Sequence, residues 1–156
     1  MVTIRPVTPA DLDTWLRMRC ALWSDGSPAE HREEIEQFFA GEFPRWPWSV
    51  LIAHDDDGQV AGFAEVSVRP YAEGCESPQV GYLEGWWVEP QARGSGVGRA
   101  LVSAAEDWAR QRGLTEFASD AEPDNTTSIA AHQALGFEDA GLVQCFRKPI
   151  AAYRTR

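Results

Sequence analysis

Residues 88–102 read VEPQARGSGVGRALV. Three glycines alternate from Gly94 to Gly98, Arg93 and Arg99 flank the last turn of the loop, and an apolar-periodic run follows. Such a loop exposes backbone N–H groups, and the helix behind it turns its positive end the same way, so the stretch suits an anion. Two common nucleotide loops do not fit. A P-loop, GxxxxGK[ST], needs Lys and then Ser or Thr after its last glycine, where this chain has Arg99 and Ala100. The dinucleotide fingerprint GxGxxG accepts Gly94 and Gly96 but meets Arg99 at its third glycine. A tight turn that holds no ligand remains the alternative at this point.

Working outward, QVGYLEGWWVEP (79–90) reads as a strand ended by Pro90. Before it, SVLIAH (49–54) and QVAGFAEVSVR (59–69) flank DDDG and read as a hairpin. After the loop, Val97, Leu101, Ala104, Ala105 and Trp108 fall on one helical face, which predicts a helix over about 97–112, ended by Gly113. TEFASD (115–120) is a short strand. DNTTSIAAHQALGF (124–137) is a helix capped by Asp124 or Asn125 and stopped by Gly136, and GLVQCFRKPI (141–150) is a last strand. At the other end, TIRPVT (3–8) is a first strand. Thr8, Pro9 and Asp11 open a helix over about 9–22, and Ser27 to Glu30 read as a capping box for an acidic helix ending near Gly41. The order β-α-α-β-β-β-α-β-α-β places the chain in the α+β (mixed α/β) class, and its 156 residues suit one domain over 1–156.

Composition narrows the function. With 14 basic and 24 acidic residues the net charge is −10, which argues against nucleic acid as a partner. The acidity either draws a cationic ligand to a cleft or simply keeps the protein in solution. Cys20, Cys75 and Cys145 are widely spaced without a CxxC pair, and the three histidines are scattered, so neither a disulfide set nor a metal site is expected. Reduced thiols, no basic-then-apolar leader and no apolar run near membrane-spanning length point to a cytoplasmic protein without a membrane partner.

The motifs carry a resemblance. Arg93-x-x-Gly96-x-Gly98 resembles the acyl-CoA pyrophosphate loop, [R/Q]-x-x-G-x-[G/A], of the GNAT superfamily of N-acetyltransferases. Asn125, Ser128, His132, Gly136 and Phe137 are similar to that superfamily's second block. More narrowly, LW (22–23), YAEGC (71–75), YLEGWWV (82–88), ASD (118–120), AHQALGFED (131–139) and CFRK (145–148) resemble the bacterial aminoglycoside 6′-N-acetyltransferases. The resemblance implies a central, mostly antiparallel twisted sheet with flanking helices and strands that splay at the CoA site. It also implies acetyl-CoA as acetyl donor, a cationic aminoglycoside as acceptor, direct transfer in a ternary complex, drug resistance as the consequence, and a homodimer that uses the C-terminal stretch VQCFRKPIAAYRTR. The alternatives are the same chemistry on another amine (a polyamine, a small metabolite or a protein lysine) and a CoA-binding sensor without catalysis.

Site residues follow residue by residue. The resemblance gives the backbone of Trp86, Trp87 and Val88 to the pantetheine arm, with the Val88 N–H as oxyanion donor. It gives the N–H groups of Gly94, Ser95, Gly96, Val97, Gly98 and Arg99 to the pyrophosphate, with charge from Arg93 and Arg99, and Asn125 to a pantetheine hydrogen bond. Glu84 interrupts an apolar and aromatic strand, so its carboxylate is either a structural ion pair or a group facing a cleft. By resemblance it grips the substrate ammonium and takes its proton through water. Asp120 is the second such carboxylate, or a cap for the next loop. His132 stands where the superfamily carries a Tyr that protonates the departing thiolate; it is a general-acid candidate or a packing residue. Trp23 and Tyr71 match aromatic substrate positions, with core packing as their alternative. Trp15 and Trp108 are assigned to the core, His31 and His54 to the surface. A cysteine nucleophile at Cys75 or Cys145 has no evident His partner in sequence.

Overall fold

A computed structural model of the chain describes residues 1–42 and 49–153. Five strands, β1 (Thr3–Pro6), β2 (Ser49–His54), β3 (Val60–Arg69), β4 (Val80–Val88) and β5 (Phe117–Ser119), form one sheet in the order β1-β2-β3-β4-β5. Every pairing is antiparallel except β4–β5, which is parallel and short, joining only Gly81–Leu83 to Phe117–Ser119. Four helices complete the described fold: α1 (Leu12–Leu22), α2 (Pro28–Ala40), α3 (Val97–Arg110) and α4 (Thr126–Ala134).

Strand alternation divides the core into two layers. From β3, Ala64 and Val66 point into a cluster with Val97, Leu101, Ala105 and Trp108 of α3. Phe63 points the other way, into a cluster with Trp15 and Met18 of α1 and Ile35 of α2. The helix expected from the spacing of Val97, Leu101, Ala105 and Trp108 therefore lies on one face of the sheet, and the two N-terminal helices on the other. Trp15 and Trp108 are core residues, as expected.

Four local expectations are corrected. Asp11 closes its turn as foreseen, accepting from the Thr8 N–H at 2.7 Å and the Thr8 hydroxyl at 3.0 Å, but Pro9–Asp11 is a 3₁₀ turn and α1 begins at Leu12. Ser27 precedes α2 without making a side-chain cap, so its capping box does not form, whereas Gly41 ends the helix in the left-handed region as expected. His31 is buried, not superficial: its ring stacks on Trp23 with centroids 6.1 Å apart. The stretch 141–150 is not a strand. Residues 138–153 carry no regular secondary structure, and Leu142, Val143, Phe146 and Ile150 are exposed along them. These apolar residues do not alternate along the segment, and among the described residues no strand pairs with it. Positions 154–156 lie outside the described residues.

Candidate functional site

The site starts from a register fault. Glu65 of β3 faces Gly85 of β4, but the next residue, Val66, faces Leu83, so Glu84 is the extra residue of a β-bulge. A bulge re-aims side chains. Here it leaves Tyr82, Glu84, Gly85 and Trp87 on the α1–α2 face, while Leu83, Trp86 and Val88 face α3. Beyond the bulge β4 also loses its second neighbour, because β5 pairs no further than Leu83. Residues 84–88 are thus an open strand edge. The Glu89 N–H donates to the Ala61 carbonyl at 2.9 Å, and by ladder alternation the peptide groups of Val88 and Trp86 turn away from β3 toward that edge, whereas those of Trp87 turn toward β3.

The glycine loop lies at the end of this edge. Gly94 (φ 78°) and Gly96 (φ 91°) sit in the left-handed region that glycine tolerates. Gly98 serves by close approach: a Cβ there would lie 3.0 Å from Cζ2 of Trp86. Gly96 leads into α3 with no side-chain cap, and the helix has no acidic residue in its first turn. The N–H groups of Gly94, Gly96, Val97, Gly98 and Arg99 donate to no backbone carbonyl outside the helix. That arrangement leaves the positive end of α3 for an anion. Ser95 differs from expectation, since its N–H (3.4 Å) and hydroxyl (2.5 Å) both turn inward to the Ala92 carbonyl. Arg93 is also partly engaged: its Nε donates to the Val88 carbonyl at 3.1 Å and its guanidinium lies 5.0 Å from the Trp87 ring centre. Arg99 is exposed.

The three expected catalytic residues are not one cluster. Glu84 and Asp120 lie toward α1–α2, and His132 lies on the α3 side, its ring edge-on to Trp86 at 5.2 Å. Glu84 has a partner that sequence reasoning missed. Arg69 Nε donates to its Oε1 at 2.8 Å and Arg69 Nη2 to its Oε2 at 2.6 Å, and the Ser67 hydroxyl donates to Oε1 as well. The structural ion pair weighed for Glu84 therefore exists, at a position beside the open edge. The Arg69 guanidinium also lies 3.6 Å from the centre of the Tyr82 ring, and the Tyr82 hydroxyl donates to Asp120 Oδ2 at 2.5 Å. Burial first, and the Asp120 carboxylate second, push the Tyr82 phenol far above its ordinary range, so it acts as a donor to Asp120. Arg69 and Tyr82 thus join the two carboxylates into one network.

His132 has a defined tautomer. Its Nδ1 lies 2.7 Å from the Ser128 carbonyl, which can only accept, so Nδ1 carries a hydrogen. Its Nε2 lies 2.8 Å from the Ser119 hydroxyl, which also reaches the Leu83 carbonyl at 3.3 Å. Ser119, the second missed residue, therefore bridges His132 to β4 one residue before Glu84. Asn125 caps α4 by accepting from the Ser128 N–H at 3.0 Å, which leaves its amide NH₂ outward on an exposed side chain. Trp23 ends α1 with its ring tip over Gly85. Tyr71 is exposed after β3, where Glu73 beside it raises its phenol; the structure does not bring it against Trp23 or Glu84. Among the described residues no group of three or more His, Cys, Asp or Glu converges as a metal site would.

Comparison with known proteins agrees with this geometry. Residues 13–137 match the model of the Acetyltransferase (GNAT) family. The aminoglycoside N(6′)-acetyltransferase type 1 of Klebsiella aerogenes is 55% identical over 147 residues, 94% of this chain and 96% of that protein. Its namesake from Stenotrophomonas maltophilia is 44% identical over 95% of this chain and 94% of its own length. Among solved structures, the aminoglycoside 6′-N-acetyltransferase AAC(6′)-Ih of Acinetobacter baumannii superposes with a TM-score of 0.85 at 38% identity, covering 97% of this chain and all of that one. AAC(6′)-Iy, in complex with the bisubstrate analogue CoA-S-monomethyl-acetylneamine, gives a TM-score of 0.86 at 35% identity over 96% of this chain and 99% of that one.

Proposed function

This chain belongs to the GNAT family of acetyltransferases, and on that premise we propose that it transfers the acetyl group of acetyl-CoA to the 6′-amine of aminoglycosides, by direct attack in a ternary complex. The observation that carries the reading is the wedge where β5 leaves β4, with the uncapped start of α3 on one face and the Glu84–Asp120 pair on the other. An anionic thioester suits the first face and a polycation the second. Both reach the open edge at 84–88. The relatives described above support the acceptor class, and resistance to those drugs is the consequence of acetylating them.

The chemistry then divides among the residues. The N–H groups of Gly94 and of Gly96 to Arg99, with the charges of Arg93 and Arg99, hold the pyrophosphate, while Ser95 shapes the turn. The pantetheine lies along the edge of Trp86 to Val88 as an added strand, with the outward amide of Asn125. Glu84, oriented by Arg69, and Asp120, oriented by Tyr82, draw in the acceptor ammonium and take its proton through water. Trp23 and Tyr71 give aromatic faces to the sugar rings. The free amine adds to the thioester carbonyl, and the Val88 N–H meets the oxyanion. The carbonyl re-forms, the C–S bond breaks, and the surplus proton of the adduct nitrogen passes to the departing CoA thiolate by way of the Ser119 hydroxyl and Nε2 of His132, the ring nitrogen that carries no hydrogen. Burial, reinforced by Glu116, pushes the Cys75 thiol up and away from thiolate character, and Cys145 is exposed in the C-terminal segment; both facts favour direct transfer over an acyl-cysteine.

The same reading takes the chain as one acyltransferase domain working in the cytoplasm, with neither nucleic acid nor membrane as a partner. Its charge of −10 supports the exclusion of nucleic acid. It also takes the C-terminal segment as the arm of a homodimer. Exposed Leu142, Val143, Phe146 and Ile150, in a chain whose described sheet ends at β5, support that arm. Light scattering should give twice the mass of one chain, and half of that after removal of residues 141–156.

The deciding assay follows thiol release from acetyl-CoA against aminoglycosides paired to differ only by amine or hydroxyl at the 6′ position. Turnover confined to the 6′-amines is expected. Turnover with polyamines or peptides instead would move the substrate to another amine, and acetyl-CoA binding with no turnover at all would leave a sensor.

A further inference from the structure

Beside Glu84 the sheet lacks a side chain, and an aromatic ring uses the space. A Cβ built on Gly85 would come 2.7 Å from Cη2 and 3.1 Å from Cζ2 of Trp23. That is closer than van der Waals contact allows, so the ring has its present depth only because position 85 is glycine. Glycine inside a strand commonly marks such an approach.

Two further groups fix the ring from behind. His31 stacks on it with planes 27° apart, and the Arg19 guanidinium lies 5.0 Å from its centre. Arg19 is itself held from two elements: Nη1 donates to Glu34 of α2 at 2.6 Å, and Nε lies 2.8 Å from Glu65 Oε1 of β3. The same Glu65 oxygen accepts from Trp15 Nε1 at 2.9 Å. Glu65 is 2% exposed and Arg19 6% exposed. Taking such a pair out of water costs several kcal/mol per ion, and apolar replacements of similar shape often leave stability unchanged or improved. Packing alone therefore does not explain this pair. Glu65 is also the cross-strand partner of Gly85, so the ion pair and the vacant position share one register.

We propose that Gly85 is a specificity-determining residue and that Arg19 and Glu65 are positioning residues, which together set the depth and plane of the Trp23 ring and thereby the shape of the acceptor subsite beside Glu84. The proposal rests on the reading of this face as the acceptor site. The ring is one wall of that subsite. Its distance from Glu84 sets which sugar ring fits with its ammonium at the carboxylate.

The test is steady-state kinetics of the full chain, varying acceptor and acetyl-CoA separately, on Gly85→Ala, Trp23→Phe, their double variant, Arg19→Lys and Glu65→Gln. Gly85→Ala should raise the acceptor KM by about tenfold, the scale of one misplaced methylene-sized contact in a pocket, and leave the acetyl-CoA KM within about twofold. Phe at position 23 removes the ring tip that Gly85 admits. The double variant should then be little worse than Trp23→Phe alone, a non-additivity that only contacting residues show. Arg19→Lys, which keeps the charge and loses the fork, should raise the acceptor KM several-fold with the acetyl-CoA KM unmoved, and Glu65→Gln should do the same. If Trp23→Phe changes the acceptor KM but the Gly85 and Trp23 effects multiply, Gly85 does not act through the ring and the proposal falls while the acceptor face stands. If Trp23→Phe leaves the acceptor KM unchanged, the reading of that wall falls first. Should the Arg19 or Glu65 variants fail to fold, the Gly85–Trp23 cycle still decides.

Discussion

On the α3 face, the groups suited to an anion come from one continuous run, residues 88–99, and most of them are backbone N–H groups. On the α1–α2 face, the groups suited to a cation come from three places, Trp23 after α1, Tyr82 and Glu84 on β4, and Asp120 after β5, and Arg69 at the end of β3 orients Glu84. The first half depends on where glycine lets the chain go. The second depends on charges placed opposite one another across strands. Damage to the first should therefore be steric and fall on the acetyl donor, and damage to the second electrostatic and fall on the acceptor.

The largest effect tests the second half. Glu84→Gln keeps the shape but removes the charge that faces Arg69 and is proposed to draw in the acceptor. Turnover should drop by about 10²–10³-fold, the scale of losing a positioned acid–base or electrostatic group. Acetyl-CoA binding, measured by calorimetry, should stay within about twofold. An equal loss in both would show that the bulge is a single structural unit and erase the contrast between the faces.

Next comes the first half. Gly98→Val places two methyl groups where even a Cβ meets the Trp86 ring at 3.0 Å. The first turn of α3 must retreat from β4, and acetyl-CoA should bind about tenfold more weakly, a loss of ~1.4 kcal/mol. The acceptor KM should hardly move. A normal donor affinity in this variant would mean that the loop does not hold the pyrophosphate.

The same contrast decides what was legible in the sequence. The glycine loop could be read because its groups are consecutive and glycine spacing has few other causes. Glu84 stands out because it interrupts an apolar and aromatic strand, and Trp23 and Asp120 through motif resemblance, but no motif in the sequence marks Arg69. It looks like an ordinary strand end until β3 and β4 are paired. The signal was present, since Phe63, Glu65, Ser67 and Arg69 alternate onto one face and Gly85 after Glu84 hints at a bulge. What no pattern supplies is the register that joins them. His31 was misplaced because a polar residue on an acidic helix reads as surface, whereas here its ring packs on Trp23. The stretch 141–150 reads as a strand from its apolar content and its place after the last helix, but its apolar residues do not alternate, so no strand face was there to be paired.

A smaller effect provides a control belonging to neither half. Asp11 takes two bonds from Arg5 at 2.8 Å and two from Thr8, and the Arg5 guanidinium holds its carboxyl well below the usual carboxylate range. A depressed folded pKa contributes stability that is fully present above the unfolded value near 3.8 and is lost as pH falls toward the folded one. Asp11→Asn should cost about 1.5–3 kcal/mol near neutral pH by denaturant melts. The gap between wild type and variant should narrow only below about pH 4. Both KM values should be unchanged, because the bond ties β1 to the turn before α1 and reaches neither face of the wedge.

The smallest effect separates two duties of one residue. The Asn125 oxygen caps α4, and its NH₂ is the group proposed to meet the pantetheine. Truncation to alanine removes both at once, at about 1 kcal/mol of stability. Serine keeps a cap acceptor and has no amide. Asn125→Ser should therefore melt within a degree or two of wild type while the acetyl-CoA KM rises a few-fold. Ser27→Ala supplies the reference for a cap that is not made: Ser27 forms no side-chain bond at the start of α2, so its loss should fall below the usual ~1 kcal/mol for a helix cap. If Asn125→Ser binds acetyl-CoA as well as wild type does, Asn125 is only a cap. The donor half of the site would then consist of backbone alone on this side, which would sharpen the contrast between a face built from peptide groups and a face built from charged side chains.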